Sequence, residues 1–329
     1  MLFSFVAVLA LASVWCLLVK AYPSEYAPAG EWTSAKNPAL ECNRQYLCTP
    51  SNLTWYTFDP KSVIFDSKSA CEGLIKAGIR RIDFHGDSYM RQIYAAMLIT
   101  LNGNYVNGSI ADTPFARANG AKECNYHKQF AEKFCGVRSL NHSPNVCDGK
   151  VILDPLLVGL DNLNQCSAKS GSVALFSWGN YKVGPQITPR HGVNNATAYA
   201  QFFEDSGLCP SIRKYDSHMQ SSALGERAVG RSCNVVWLST HYRLRKHYDD
   251  EGPDVVQTYN ENMRSFIQSG KCGRIHYIDV YNMTAALGRG HAEEARGMSY
   301  DHVHWGMEVN LVKAQIILNA LLQAPLSRK

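Results

Sequence analysis

The sequence lacks several features that mark common functional classes. Its formal net charge is only +5 over 329 residues, and no block of basic residues or of alternating basic and aromatic side chains stands out. Because nucleic-acid-binding surfaces need clustered positive charge, this argues against a nucleic-acid partner. No Cys-x-x-Cys pair occurs, which argues against a zinc ribbon or a thioredoxin-type redox site. Internal repeats and low-complexity segments are also missing, and a hydrophobic content of 46% predicts an ordinary globular core.

A long apolar run opens the chain. Residues 2–19 are almost continuously apolar, and the small residues around Lys20 suit cleavage by a signal peptidase after Ala21. The run is long for a signal and has no basic residues before it. An uncleaved signal-anchor that holds the protein in the Golgi membrane through residues 2–19 is therefore the alternative. Both interpretations predict that the rest of the chain is secreted or lies in the lumen of the secretory pathway.

Cysteine usage supports the same compartment. Cys16 lies inside the apolar run, which leaves ten cysteines: Cys42, Cys48, Cys71, Cys124, Cys135, Cys147, Cys166, Cys209, Cys233 and Cys272. An even number in an exported chain predicts five disulfides, whose pairing the sequence does not determine. A glycoprotein is also indicated by five Asn-x-Ser/Thr sequons, at Asn52, Asn107, Asn141, Asn195 and Asn282.

Short apolar strands alternate with helical segments along the chain. Strands are predicted at 79–85, 151–153, 172–178, 234–240 and 274–280, and the chain closes with a helix from about Met307 to Leu322. This alternation predicts an α/β fold with a parallel sheet that is covered on both faces. In such sheets the reactive groups gather beyond the carboxyl ends of the strands.

The first strand leads directly into the tripeptide Gly86-Asp87-Ser88, and an amphipathic helix begins at Tyr89. A serine on a strand-to-helix turn lies at a helix N-terminus, where backbone N–H groups and the helix dipole favour negative charge. That position suits a nucleophile whose attack creates an oxyanion. The tripeptide alone is more often an ordinary turn with a capping side chain, and we assign Asp87 to the turn.

A second stretch, just before the closing helix, contains Asp301 and His304. In a turn, the Asp301 carboxylate can lie beside the imidazole, hold its tautomer and stabilise the imidazolium that forms. His304 could then take the Ser88 proton and return it to the leaving group. The plainer alternative makes Asp301 the N-cap of the helix and His304 a surface residue. A metal site on Asp301, His302 and His304 is disfavoured because no second cluster of ligand spacing accompanies it, so we predict no metal and no cofactor.

Other polar residues follow predicted strands. Asn180 would place an amide N–H₂ where an oxyanion develops, alongside the Ser88 backbone N–H, although Gly-Asn after a strand is more often a turn. Arg91 would lie one turn into the helix and either bind a carboxylate or sugar or pair with an acidic neighbour. His241 and Arg243 would either line a substrate cleft or simply keep a loop soluble.

These motifs resemble a known superfamily. Gly86-Asp87-Ser88 near the front and Asp301-x-x-His304 near the end resemble the first and last blocks of the SGNH (GDSL-like) hydrolases. Arg91, three residues after the serine, and Trp305, directly after the histidine, resemble the PC-esterase group, which includes the trichome birefringence-like polysaccharide O-acetyltransferases. The segment before the serine motif resembles the Cys-rich segment of those plant proteins.

The resemblance implies a flavodoxin-like three-layer α/β/α sandwich with a central, mostly parallel sheet. It implies a triad of Ser88, His304 and Asp301 with an acyl-serine intermediate. The implied oxyanion hole combines Ser88, Asn180 and a glycine for which Gly103 and Gly108 are candidates. The candidate substrate-binding residues are Arg91, His241, Arg243 and Trp305. One departure is Gly306-Met307, where the plant proteins usually have Cys and Pro.

The expected domain organisation is a signal peptide or signal-anchor at 1–21, a Cys-containing N-terminal segment at 22–75 and an SGNH-like catalytic domain at 76–329. The expected function is a secretory-pathway O-acyltransferase, most simply an acetyltransferase, that needs a glycan or polysaccharide substrate and an acyl donor. An O-acetyl esterase of the same fold is the alternative, because water or a sugar hydroxyl can resolve the same acyl-serine. A third hypothesis is a non-catalytic glycan-binding or wall protein that retains the fold.

Overall fold

The computed structural model describes residues 25–26, 30–34, 54–58, 62–105, 108–109, 145–155, 171–177, 204–205, 207, 209–210, 212–213, 234–244, 253–299 and 303–323. The apolar run at 2–19 and every sequon except the one at Asn282 lie outside the described residues. None of the described helices is long and apolar enough to cross a membrane.

Nine strands and six helices are formed by the described residues. The strands are β1 (Glu25–Tyr26), β2 (Gly30–Ser34), β3 (Thr54–Phe58), β4 (Arg81–Gly86), β5 (Asn145–Val146), β6 (Val151–Asp154), β7 (Ser172–Ser177), β8 (Asn234–Leu238) and β9 (Ile275–Ile278). The helices are α1 (Ser67–Lys76), α2 (Ser88–Asn102), α3 (Pro253–Gln268), α4 (Tyr281–Gly290), α5 (Ala292–Gly297) and α6 (Met307–Leu322).

Seven of these strands form one sheet in the order β1-β9-β8-β7-β4-β6-β5, and β2 and β3 form a separate antiparallel pair. Every pair in the larger sheet is parallel except β5 with β6. The prediction of an α/β fold with a mostly parallel sheet is therefore confirmed. From β4 the chain continues to β6 on one side, and it then returns to β7 on the other side of β4. Such a reversal opens a crevice beyond the carboxyl ends of β4 and β7.

Side chains on both faces of the central strands are buried. Val173, Leu175, Val236 and Leu238 belong to a core cluster shared with α1, α2 and α6. The alternating residues between them belong to a second cluster, with Tyr259 and Met263 of α3 among its members. Successive residues of a strand point to opposite faces, so the two clusters lie on opposite faces of these strands. Each fully buried large apolar side chain contributes about 1.5–3 kcal/mol to the stability of the fold.

The closing helix α6 is buried along its length. Every residue from Met307 to Leu321 is buried, including polar ones that the predicted apolar face did not contain. Buried polar groups need hydrogen-bond partners, and two of these side chains find them in the backbone before α1. The Gln315 amide pairs with the N–H and the carbonyl of Phe65, both at 2.8 Å. Asn319 pairs in the same way with Val63, again at 2.8 Å.

Two disulfides lie within the described residues. Cys71–Cys147 joins α1 to the turn after β5, and Cys209–Cys272 joins two segments that are 63 residues apart in sequence. In the chain-entropy account, closing loops of this length stabilises the fold by about 4 kcal/mol each. These bonds are consistent with a secreted or lumenal protein. The other six cysteines of the predicted framework lie outside the described residues.

One buried histidine predicts how stability depends on pH. His85 in β4 is 3% exposed and stacks on Phe176, with ring centroids 4.5 Å apart. Burial, and then the charge of Arg81, lower the pKa of His85 to about 4. Between pH 6.5 and 4 the unfolded chain therefore binds a proton at this site that the folded chain does not. The free energy of unfolding should fall with decreasing pH over that window, by at most about 1.4 kcal/mol per pH unit from this site.

Urea unfolding at pH 7 and pH 5 measures this dependence. His85→Phe keeps an aromatic ring against Phe176 and removes the titrating group, so the loss of stability between the two pH values should be smaller in the variant. His276→Phe is a parallel case, because burial and then Arg274 lower the pKa of His276 to about 4. An equal loss in wild type and in His85→Phe would contradict the prediction.

Candidate active site

The turn after β4 positions Ser88. Asp87 has an extended backbone and caps α2, with its side-chain Oδ1 accepting a hydrogen bond from the Tyr89 N–H at 3.0 Å. Ser88 is the first residue of α2 and is 5% exposed. The predicted strand, turn and helix are confirmed here, and Asp87 serves the turn as predicted. Ser88 consequently lies beyond the carboxyl end of β4, at the crevice that the strand order creates.

Gly86 allows β4 to approach β7 closely at this point. Its φ is +156°, and a Cβ added to it would lie 1.9 Å from the carbonyl oxygen of Ser177. No side chain fits in that space, so a glycine is required for the two strands to come together immediately before the turn. The backbone that leads to Ser88 is therefore fixed by direct contact with the end of β7.

The structure brings Ser88 together with His304. The Ser88 Oγ lies 2.7 Å from His304 Nε2, although the two residues are 216 positions apart. This is an ordinary hydrogen-bond distance for a hydroxyl and a ring nitrogen. With the ring proton on Nδ1, Nε2 accepts the serine O–H, which is the arrangement that a general base needs. Ser88 is buried and His304 is half-buried, so the pair is largely shielded from solvent.

The loop that carries His304 is held by hydrogen bonds to its carbonyl groups. The Ser299 hydroxyl donates to the His304 carbonyl at 2.7 Å, and Ser299 forms an isolated antiparallel bridge with Trp305. The Asn310 side-chain Nδ2 donates to the carbonyls of Trp305 and Gly306, at 2.7 and 2.8 Å. A loop with this many fixed peptide groups presents its histidine in one position.

His241 lies beneath this loop. It is 2% exposed; its Nε2 is 2.9 Å from the Val303 carbonyl and its Nδ1 is 2.9 Å from the Lys313 Nζ. A carbonyl can only accept, so the ring proton is on Nε2 and Nδ1 accepts from the lysine. Burial lowers the pKa of both His241 and Lys313 well below their ordinary values. The imidazole is therefore neutral at physiological pH.

Tyr89 joins the serine to both histidines. Its ring centroid is 3.8 Å from that of His241 and 5.3 Å from that of His304. On the same ring, the Arg243 Cζ is 5.6 Å from the centroid, a distance at which a guanidinium is attracted to an aromatic face. Because Tyr89 follows Ser88 directly, these contacts fix the first turn of α2 relative to the His304 loop.

The burial of three predicted substrate-binding residues changes their assignment. His241, Arg243 and Trp305 are 2%, 0% and 1% exposed. The Trp305 indole donates to the Tyr242 carbonyl at 2.9 Å, which anchors the His304 loop to the segment after β8. We therefore assign all three to the support of the site rather than to a surface that a glycan contacts. Arg91 lies one turn into α2 and is half-buried, and its predicted substrate contact stays a prediction.

The oxyanion role predicted for Gly108 does not fit the geometry. Ser88 begins α2 and Gly103 follows its last residue, so a helix of about 22 Å separates the two. The Gly108 N–H donates to the Asn104 carbonyl at 2.9 Å, which keeps Gly108 at that far end. The same distance removes Gly103 as a candidate. Sequence order alone placed these glycines after the serine, whereas the helix carries them away from it.

Three other predicted positions lie outside the described residues: Asn180, Asp301 and His302. Their roles stay predictions. Within the described part of the chain, no group of three His, Cys, Asp or Glu residues lies close enough together to hold a metal ion.

Sequence reasoning missed Tyr89, Asn310 and Lys313 at this site. The signal for Lys313 was a lone lysine between apolar residues of the closing helix, three positions after an asparagine. Residues three apart share one face of a helix, so the two could have been expected to act on the same neighbour. Nothing in the sequence, however, identified His241 as that neighbour.

No family model, no curated protein and no solved structure matches this chain.

Proposed function

We propose that this protein is a secretory-pathway O-acyltransferase that moves an acetyl or similar acyl group onto a glycan through Ser88. The proposal rests above all on the 2.7 Å approach of Ser88 Oγ to His304 Nε2. A serine and a histidine so far apart in sequence meet where a parallel sheet collects its reactive groups. The motif resemblance to the SGNH hydrolases and the PC-esterase group supports the same chemistry.

The first half-reaction forms the acyl-serine. His304 Nε2 accepts the Ser88 proton as Oγ attacks the carbonyl carbon of the acyl donor, and the carbonyl oxygen becomes an oxyanion. The N–H groups in the first turn of α2 and the helix dipole favour negative charge beside Ser88. Collapse of the tetrahedral intermediate breaks the bond to the leaving group, which takes the proton from His304. Ser88 then carries the acyl group as an ester.

The second half-reaction repeats these steps with the glycan. A sugar hydroxyl gives its proton to His304 Nε2 as its oxygen attacks the acyl-Ser88 carbonyl. The new tetrahedral intermediate collapses, the Ser88 Oγ regains the proton, and the acylated glycan leaves. In this scheme Asp301 would hold His304 in the required tautomer, and Asn180 would supply a second oxyanion donor.

The finer architecture belongs to the same proposal. The two core clusters on opposite faces of β7 and β8 support a three-layer sandwich of the SGNH type. The position of Ser88 after a central strand and of His304 before the last helix supports it as well. A lumenal setting, with which the disulfides are consistent, would bring the enzyme to its glycans.

One experiment tests both the nucleophile and the type of transfer. The purified secreted protein is incubated with an isotopically labelled acetyl ester and an unacetylated xylan or pectin acceptor, and intact-mass and peptide mass spectrometry follow the label. We expect labelled acetyl on Ser88 during turnover and on the acceptor afterwards. Free labelled acetate with no labelled acceptor would instead indicate an esterase. A protein that never carries the label on Ser88, but still binds the acceptor, would indicate a non-catalytic glycan-binding protein.

A further inference from the structure

We propose that Asn310, Lys313 and His241 form a buried positioning unit that holds His304 at the nucleophile. This inference rests on the proposed function, because it concerns how the catalytic histidine is kept in place. Neither Asn310 nor Lys313 has any exposed surface, and His241 is only 2% exposed. All three therefore lie inside the protein, and in this proposal they act through His304 rather than on the substrate.

The unit begins on one face of α6. Asn310 and Lys313 are three residues apart, and the Lys313 Nζ donates to the Asn310 Oδ1 at 3.0 Å. The same Nζ donates to His241 Nδ1 at 2.9 Å. Within the described residues, these two side chains accept the hydrogen bonds of the lysine, and neither is a carboxylate. A neutral amine has two N–H groups, which is enough for both bonds, so the arrangement needs no net charge.

The unit ends on the peptide groups around His304. His241 Nε2–H donates to the Val303 carbonyl, directly before the catalytic histidine. Asn310 Nδ2–H donates to the Trp305 and Gly306 carbonyls, directly after it. The backbone is thus held on both sides of His304 by side chains that lysine links to each other. His304 Nε2 must stay within hydrogen-bond reach of Ser88 for the proton transfer to occur. The positioning unit therefore affects the rate of catalysis.

Lys313 favours the tautomer of His241 that donates to the Val303 carbonyl. His241 can donate from Nε2 to Val303 only in one tautomer, and that tautomer leaves Nδ1 as an acceptor. Lys313 supplies a donor to Nδ1 in a place that excludes water. A buried lysine is costly for stability, and an apolar residue of similar volume is often tolerated better. Its presence is accounted for by the bond that it gives to His241.

The test compares two asparagines on the same helix. Asn310→Leu removes the bonds to Trp305 and Gly306, whereas Asn319→Leu removes equivalent amide bonds to Val63, far from the site. Both side chains have no exposed surface, so the melting temperature should fall in both variants. We expect Asn310→Leu to lower kcat for p-nitrophenyl acetate about 10²-fold with little change in KM, since a misplacement of about 1 Å has that effect. Asn319→Leu should keep the wild-type kcat.

Further substitutions test the contact between His241 and Val303 and provide a replacement in case Asn310→Leu does not fold. His241→Gln retains a donor that can reach the Val303 carbonyl. Its kcat should therefore be at least about tenfold higher than that of His241→Leu. Asn310→Asp keeps the acceptor for Lys313 and removes both donors to the loop, so it replaces Asn310→Leu if that protein is not secreted.

The outcomes separate the inference from the proposed function. Equal kcat in the Asn310 and Asn319 variants, or no gain of His241→Gln over His241→Leu, would overturn the positioning unit while Ser88-dependent turnover stands. If wild type shows no turnover that depends on Ser88, the proposed function fails and the positioning unit fails with it.

Discussion

Ser88→Ala should abolish acyl transfer, with kcat/KM lower than in wild type by at least about 10⁴-fold. The substitution removes the atom that forms the acyl ester in this mechanism, whereas the capping bond that Asp87 accepts from the Tyr89 N–H is unaffected. Ser88 is the first residue of α2, where alanine is well tolerated, so the melting temperature and the secreted amount should stay close to those of wild type. Steady-state kinetics with an acetyl ester and differential scanning fluorimetry measure the two effects.

Ser67→Ala is the matched control for this variant. Ser67 is likewise the first residue of a helix whose N-cap is an aspartate, in this case Asp66 of α1. Its hydroxyl donates to the Leu101 carbonyl at 2.5 Å and has no part in the site. The control should lose some stability and keep its activity. A Ser88→Ala protein that transfers acyl groups at the wild-type rate would contradict the acyl-serine chemistry and favour a glycan-binding protein with an idle triad.

The part of the site near Ser88 could be predicted because it is encoded locally. An apolar strand, a glycine, a capping aspartate and a helical pattern follow one another within residues 79–101, and each has a physical meaning of its own. The pairing with His304 was predicted from the Asp301-x-x-His304 spacing before the closing helix and from the resemblance to the SGNH hydrolases, and it agrees with the rule that parallel sheets collect reactive groups at one edge. No long-range contact had to be known for either step.

The support of the site could not be predicted because it depends on distant contacts. His241 and Arg243 follow a strand, and polar residues there are as easily exposed as buried. What buries them is the first turn of α2 and the loop before α6, which are about 60 to 150 positions away in sequence. Trp305 was expected to contact substrate only because the resemblance to the PC-esterase group implied it. Its indole N–H is in fact used by the Tyr242 carbonyl.

Helix α6 shows how one element serves both stability and chemistry. Its polar side chains lie at positions that an amphipathic pattern would assign to solvent, yet all of them are buried. Asn310 and Lys313 in its first half act on the His304 loop, while Gln315 and Asn319 in its second half hold the backbone of Phe65 and Val63. The same helix therefore joins the candidate site to the segment that leads into α1.

A double-mutant cycle decides whether Ser88 and His304 act as one unit. His304→Ala alone should lower kcat/KM about 10⁴-fold, because the serine then has no base to accept its proton. Ser88→Ala combined with His304→Ala should be no slower than either single variant, which corresponds to a coupling of about 5 kcal/mol. His291→Ala, at the partly exposed C-cap of α4, is the histidine control and should keep its activity. If the two losses instead multiplied, the residues would contribute independently, and the 2.7 Å contact between them would have no catalytic role.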